Sequence, residues 1–177
     1  MRPNSLAFRL VAGAALWIAA ALLAGGFALS AIFSDYVERA YDARLLVMLD
    51  ALVAASDVVS ENYIEVSRDL GDPRFEQPYS GWYWQITSPR GPLVRSRSLW
   101  DQALRPGVGL VGLRGRVTRS QLTGPAQPLR IVGRDVTLPG VKESLHYMVT
   151  GDTAETEAEI RNFNTTLAGA LGALGLG

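Results

Sequence analysis

Acid–base or nucleophilic catalysis needs a nucleophile, a base and an orienting group close together, and this 177-residue chain has little to build them from. It holds one histidine, His146, and no cysteine. That excludes a thiol nucleophile, a disulfide framework and a cysteine-ligated zinc or iron–sulfur centre. The carboxylates are scattered, with no cluster at metal-ligand spacing. His146 lies in LHYMV, a predicted strand, and reads as a strand or rim residue. Binding is the better-supported chemistry. Trp82, Tyr83, Trp84 and Trp100 supply aromatic surface. Arg95 and Arg97, two apart on a predicted strand, share one face beside Tyr83, where their planar guanidinium forks suit a small carboxylate or phosphate. The candidate ligand-binding residues are Tyr83, Trp84, Arg95 and Arg97, set against the plainer reading of a solvated strand face. No catalytic residue and no metal ligand is assigned.

With 17 basic and 17 acidic residues the chain is neutral, so there is no basic stripe to suggest nucleic acid as a partner. At 48% hydrophobic and 19% charged it is too apolar for a disordered chain. The apolar excess is concentrated. Leu10–Ser34 is a run of 25 residues without a charge, about 37 Å of helix, enough to cross a hydrocarbon core of about 30 Å. Arg2 and Arg9 precede it and Asp35 and Glu38 follow, an asymmetry that puts the N-terminus in the cytoplasm. A retained anchor is favoured over a cleaved signal peptide because the run exceeds a signal's usual apolar core. A second uncharged run, Asn162–Gly177, carries glycines at 169, 172 and 175. A buried core helix and a glycine-rich tail are alternatives, but the run reads best as the start of a second span cut off by the chain end. The expected organisation is a cytoplasmic tail over 1–9, a transmembrane helix over 10–34, an extracytoplasmic domain over 35–161 and the second span from 162 to 177.

Within 35–161, Asp35 to about Val66 lacks glycine and proline and reads as one long helix. Its seam of Leu45, Leu49, Leu52, Ser56, Val59, Tyr63 and Val66 repeats 4-3-4-3-4-3. The seam packs on the domain's own sheet or pairs with a second copy. From SGWYWQIT onward the period changes to two, with Trp82, Trp84 and Ile86 facing one way and Tyr83, Gln85 and Thr87 the other. SPRGP turns the chain into a second strand, Leu93–Trp100. Further strands are expected at 108–113, 116–121, 129–138 and 145–151, joined by turns at GPAQP and LPGVKE into an antiparallel meander. Asp152 then opens a final helix with a capping box completed by Glu155. The fold class is α+β.

Several stretches (SLAFRL, YSGWYWQI, RSRSLWD, LRIVGRDVTLPG and VTGDTAETEAEIRNFNTTLA) resemble the N-terminal input region of proteobacterial two-component sensor histidine kinases. The resemblance implies a periplasmic Cache-like (PDC-like) domain between two transmembrane helices of the bacterial inner membrane. It also implies a homodimer in contact with inner-membrane lipid, a small-molecule or ionic ligand, and a cytoplasmic core that uses ATP and Mg and signals to a response regulator. This chain has no H-box, so it needs no cofactor of its own and His146 is no phosphoacceptor. An input module of a chemoreceptor or cyclic-dinucleotide enzyme, and a membrane-anchored envelope scaffold, are the alternatives.

Overall fold

The computed structural model describes residues 6–60, 63–67, 70–104, 118–123, 128–141 and 143–176. It is α+β: a long N-terminal helix, antiparallel sheets and a C-terminal helix. The chain divides into two compact units, one of residues 1–39 with 156–177 and one of residues 40–155.

The first unit is helical. Helix α1 runs Leu6–Ala54 and helix α2 Ala154–Leu176. α1 is long and apolar enough to cross a membrane, and only 6% of its most apolar window is buried. Leu16, Trp17, Leu23 and Phe27 are all more than 70% exposed, which is costly in water and natural in hydrocarbon. Within this unit α2 lies antiparallel to α1. Phe33 stacks on Phe163 with ring centroids 4.0 Å apart, and the Ser30 hydroxyl donates to Asn164 Oδ1 at 2.6 Å. Farther along, Gly26 lets Leu171 approach so closely that a Cβ there would overlap it.

The second unit is built on the C-terminal end of α1. Leu45, Leu49 and Leu52 are fully buried, as the heptad reading expects. The helix ends at Ala54, however, and the rest of the seam is a β-hairpin: β1, Ser56–Ser60, pairs with β2, Tyr63–Val66. The Ser56 hydroxyl donates to the Leu52 carbonyl at 2.7 Å and so satisfies one of the helix's terminal acceptors. The β-branched residues Val58, Val59, Ile64 and Val66 then favour strand. Residues three apart in a strand face opposite ways, so the 4-3 seam does not continue through the hairpin. Val59, assigned to the seam, is 59% exposed, while Ile64 on the other hairpin arm enters the core.

The main sheet contains β3 (Tyr83–Ser88), β4 (Gly91–Arg95), β5 (Thr118–Thr123), β6 (Pro128–Val136) and β7 (Leu145–Asp152), in the order β4-β3-β7-β6-β5. All neighbours are antiparallel. The expected simple meander is corrected here, because the last strand returns to the centre between β3 and β6. β7 is buried along nearly its whole length, consistent with a strand covered on both faces. The expected strand at 108–113 and most of the GPAQP turn lie outside the described residues.

Trp82, Ile86, Val132, Tyr147 and Val149 face α1 and form one core with Leu45, Leu49, Leu52 and Phe75. Tyr83, Leu129, Ile131 and Met148 face the other way and join Leu99 and Leu104 in a second core. Two ion pairs tie α1 to β6. Arg130 grips Asp42 through two hydrogen bonds of 2.9 and 3.1 Å, and Arg134 pairs with Asp50. The spacing matches: eight residues of helix cover about 12 Å and four residues of strand about 13 Å. Only the first pair is shielded, with side chains 18% and 13% exposed; Asp50 is 65% exposed. Asp42→Ala should therefore lower unfolding stability by about 2–3 kcal/mol. Asp50→Ala should lower it by less than about 1 kcal/mol. Urea unfolding followed by tryptophan emission checks the difference.

Candidate functional site

The four residues proposed for ligand binding do not converge. Tyr83 is 2% exposed, inside the second core, and Trp84 is half-buried against the first, so the two rings lie on opposite faces of β3. Arg95 is exposed at the end of β4, where its Nη1 donates to the Gln102 carbonyl at 2.6 Å. Arg97 is exposed too, but the expected strand over 93–100 stops at Arg95. Arg97 opens a short 3-10 turn, Arg97–Leu99, and shares no strand face with Arg95. The strand ends there because Ser96 and Ser98 turn inward and use their hydroxyls on the backbone.

Those serines organise the surface beside them. Ser96 Oγ accepts the Trp84 amide at 3.1 Å, Ser98 Oγ donates to the Trp82 carbonyl at 2.6 Å, and the two hydroxyls meet at 2.8 Å. Ser80 donates to the Arg74 carbonyl at 2.6 Å, and the Tyr79 amide donates to the Ser98 carbonyl at 2.9 Å. The Gln85 side chain clamps both backbone groups of Leu104, at 2.9 and 3.1 Å. Held by this network, two aromatic residues adopt left-handed backbone: Tyr79 at φ 57° and Trp100 at φ 51°, the only non-glycine cases among the described residues. Each costs about 1–3 kcal/mol and persists only where neighbours over-determine it. Both rings face solvent, Tyr79 49% and Trp100 58% exposed. The Tyr79 hydroxyl donates to Asp101 Oδ1 at 2.9 Å, and that carboxylate raises the phenol's pKa above its ordinary value. Sequence reasoning counted Trp100 as aromatic surface and passed over Tyr79. Neither residue type predicts a positive φ.

A second cluster surrounds Trp82. Arg74 stacks on the indole at 3.7 Å, Arg44 lies 5.1 Å from it, and Tyr41 is tilted against it. Asp72 binds Arg74 in bidentate fashion, which holds the Asp72 carboxyl below the usual carboxylate range. The Tyr41 hydroxyl donates to the Asp152 carbonyl at 2.6 Å, joining α1 to the end of β7. Asp152 Oδ1 accepts the Ala154 amide at 2.8 Å, capping α2 as expected. The Glu155 side chain lies outside the described residues.

His146 is buried, at 6% exposure, on the face of the sheet away from α1. Its Nδ1 meets the carboxylate of Asp135, the residue directly across on β6. Nε2 is enclosed with no hydrogen-bond partner among the described residues. It lies over Gly133, where an added Cβ would come within 3.0 Å of Nε2 and 3.2 Å of the Tyr147 carbonyl oxygen. No group of three or more His, Asp or Glu side chains suited to a metal ion occurs among the described residues. Burial pushes the Tyr147 phenol above its usual range, with Ser56 opposing the shift. Comparison of the chain with protein-family models, curated proteins and solved structures found no match.

Two predictions follow from these clusters. A carboxyl with a lowered folded pKa adds stability above its unfolded value, 3.8 for Asp72, and that stability is lost as pH falls through the folded value. Asp72→Asn should therefore lower the melting temperature at neutral pH and flatten its decline on acidification, as read from melting curves across the acid range. Gly133→Ala must displace the His146 ring or the strand and should cost about 1–3 kcal/mol, measurable by the same unfolding transition.

Proposed function

We propose that the chain is the extracytoplasmic sensory input region of a membrane-bound two-component sensor histidine kinase. Its 35–161 segment would be a Cache-like periplasmic domain. Residues 10–34 and the helix beginning at 162 would be the two spans, with the N-terminus in the cytoplasm. The observation that carries this reading is the helical unit. Within it α2 lies antiparallel to the apolar part of α1, joined by Phe33 on Phe163 and by the Ser30–Asn164 hydrogen bond. Hydrogen bonds and close approach at small residues are what associates helices in lipid. The α+β unit with its long N-terminal helix agrees with the fold that the sequence resemblance implies.

On this reading the signal leaves through β7. The central strand feeds α2 directly, and Tyr41 ties the β7 end to α1. A ligand that binds one packing of the sheet better than another shifts both helices together, by no more than its differential affinity for the two states. The protein would act as a homodimer in the inner membrane. Its kinase core would hold ATP and Mg and phosphorylate a cognate response regulator.

The lack of cysteine allows a direct test of topology. In cells with a permeabilised outer membrane, Val59→Cys should react with an impermeant maleimide, and Leu6→Cys only after the inner membrane is lysed. The reverse pattern, or a mature chain beginning after Ser34, refutes the anchored topology. The signalling claim is tested by joining the chain to a histidine-kinase core. Two residues inserted after α2 rotate whatever follows by about 200° and should change basal autophosphorylation. Autophosphorylation indifferent to the insertion favours the scaffold reading.

A further inference from the structure

We propose that Trp100 and Tyr79, with Arg95, Arg97 and Asp101 around them, form a binding platform for an acidic saccharide. The inference goes beyond the sensory reading and does not depend on it.

Two exposed aromatic rings are carried on neighbouring loops in a backbone conformation that such side chains rarely adopt. Trp100, at φ 51° and ψ −108°, lies outside even the left-handed helical region. Its ring is part of neither core among the described residues. The indole is 58% exposed, whereas Ser98 and Leu99 immediately before it are buried. The serine network and the Gln85 clamp thus hold the loop rigid while presenting the ring to solvent. A rigid, exposed aromatic face suits a ligand with a flat apolar face of its own, because little conformational entropy is lost on contact. The C–H face of a pyranose is such a surface, and its rim of hydroxyls requires charged or polar side chains beside the ring. Arg95, Arg97 and Asp101 are all exposed there.

The charges select among saccharides. Asp101 already accepts the Tyr79 hydroxyl, while Arg97 makes no ion pair among the described residues. The patch is therefore net positive, and a guanidinium fork matches a carboxylate on the sugar. Size argues against a protein partner. A stable protein interface takes about 20–30 residues a side, whereas the platform consists of two exposed rings and three exposed charged side chains.

The test uses the full chain in zwitterionic lipid nanodiscs, free of glycoside detergent, titrated calorimetrically with tri-galacturonate and with neutral chitotriose. Tri-galacturonate should bind, and more tightly than chitotriose. Trp100→Gly should weaken it by about tenfold or more while keeping or raising the melting temperature, since glycine relieves the positive φ. That combination separates a lost ring from a lost fold. Arg97→Gln should weaken tri-galacturonate and leave chitotriose unchanged. The proposal is overturned if tri-galacturonate gives no binding at roughly 10 mM, or if Trp100→Gly binds it as the parent chain does.

Discussion

Everything in the sheet unit depends on the packing of one helix face against β7 and its neighbours. α1 meets two environments along its length. Over its apolar part most side chains are exposed, and only the stripe of Gly26, Ser30 and Phe33 meets α2, a contact of small and polar residues suited to hydrocarbon. Over 42–52 only one face is apolar enough to bury, so Leu45, Leu49 and Leu52 set the rotation of the helix. The Asp42–Arg130 and Asp50–Arg134 pairs then set its translation, because their spacings along helix and strand agree in one register. Burial of the leucines supplies the free energy, about 1.5–3 kcal/mol for each large side chain. The ion pairs supply position more than stability.

That division of labour explains why the sheet is ordered as it is. β7 must lie under α1 and also lead into α2, so it is central and last. Polar side chains on a central strand are costly unless satisfied; on β7 His146 and Thr150 find partners, while the buried Tyr147 hydroxyl has none among the described residues. Thr150 reaches the Tyr83 carbonyl at 3.4 Å, and His146 takes the carboxylate directly across from it. His146 on β7 and Asp135 on β6 are thus a matched pair, with Gly133 giving the ring room. The enclosed Nε2 is the one nitrogen of that ring left without a partner among the described residues.

Much of this was legible in the sequence where a periodic pattern was long or a residue had one sensible environment. The apolar run in α1, the alternation that puts Trp82 and Ile86 opposite Tyr83 and Gln85, the strands at 128–136 and 145–152, and the Asp152 cap all follow from spacing and chemistry. The errors share a cause. The 4-3 spacing runs on through Ser56, Val59, Tyr63 and Val66 with no glycine or proline to interrupt it, so spacing alone extends the helix past Ala54, where the chain forms a hairpin. Alternation in RSRS suggests a strand, but serine hydroxyls can take over backbone partners and end one. Strand order and positive φ are set by contacts distant in sequence, and no local pattern encodes them. The expected ligand residues do not converge for that reason: Tyr83 neighbours the arginine strand in sequence pattern, but in the sheet it lies in a core.

The same logic locates where function is most economically sought. A domain this small has little stability to spare, so unfavourable features persist only where something offsets them. The sheet has two buried cores, ion pairs that join α1 to β6, and an Asp152 cap at the start of α2. Against that background the positive φ at Tyr79 and Trp100 is conspicuous, because both rings are exposed and neither belongs to a core. Two buried serine hydroxyls and a buried glutamine are committed to a loop whose outward product is an exposed indole and an exposed phenol. If packing were the only demand, glycine at position 100 would satisfy the backbone at lower cost. A large, strained, exposed ring in its place is what a contact with something outside the fold requires. Its carrier loop follows β4, one strand from β3 and two from β7, so whatever the ring contacts is close in the sheet to the strand that leads into α2.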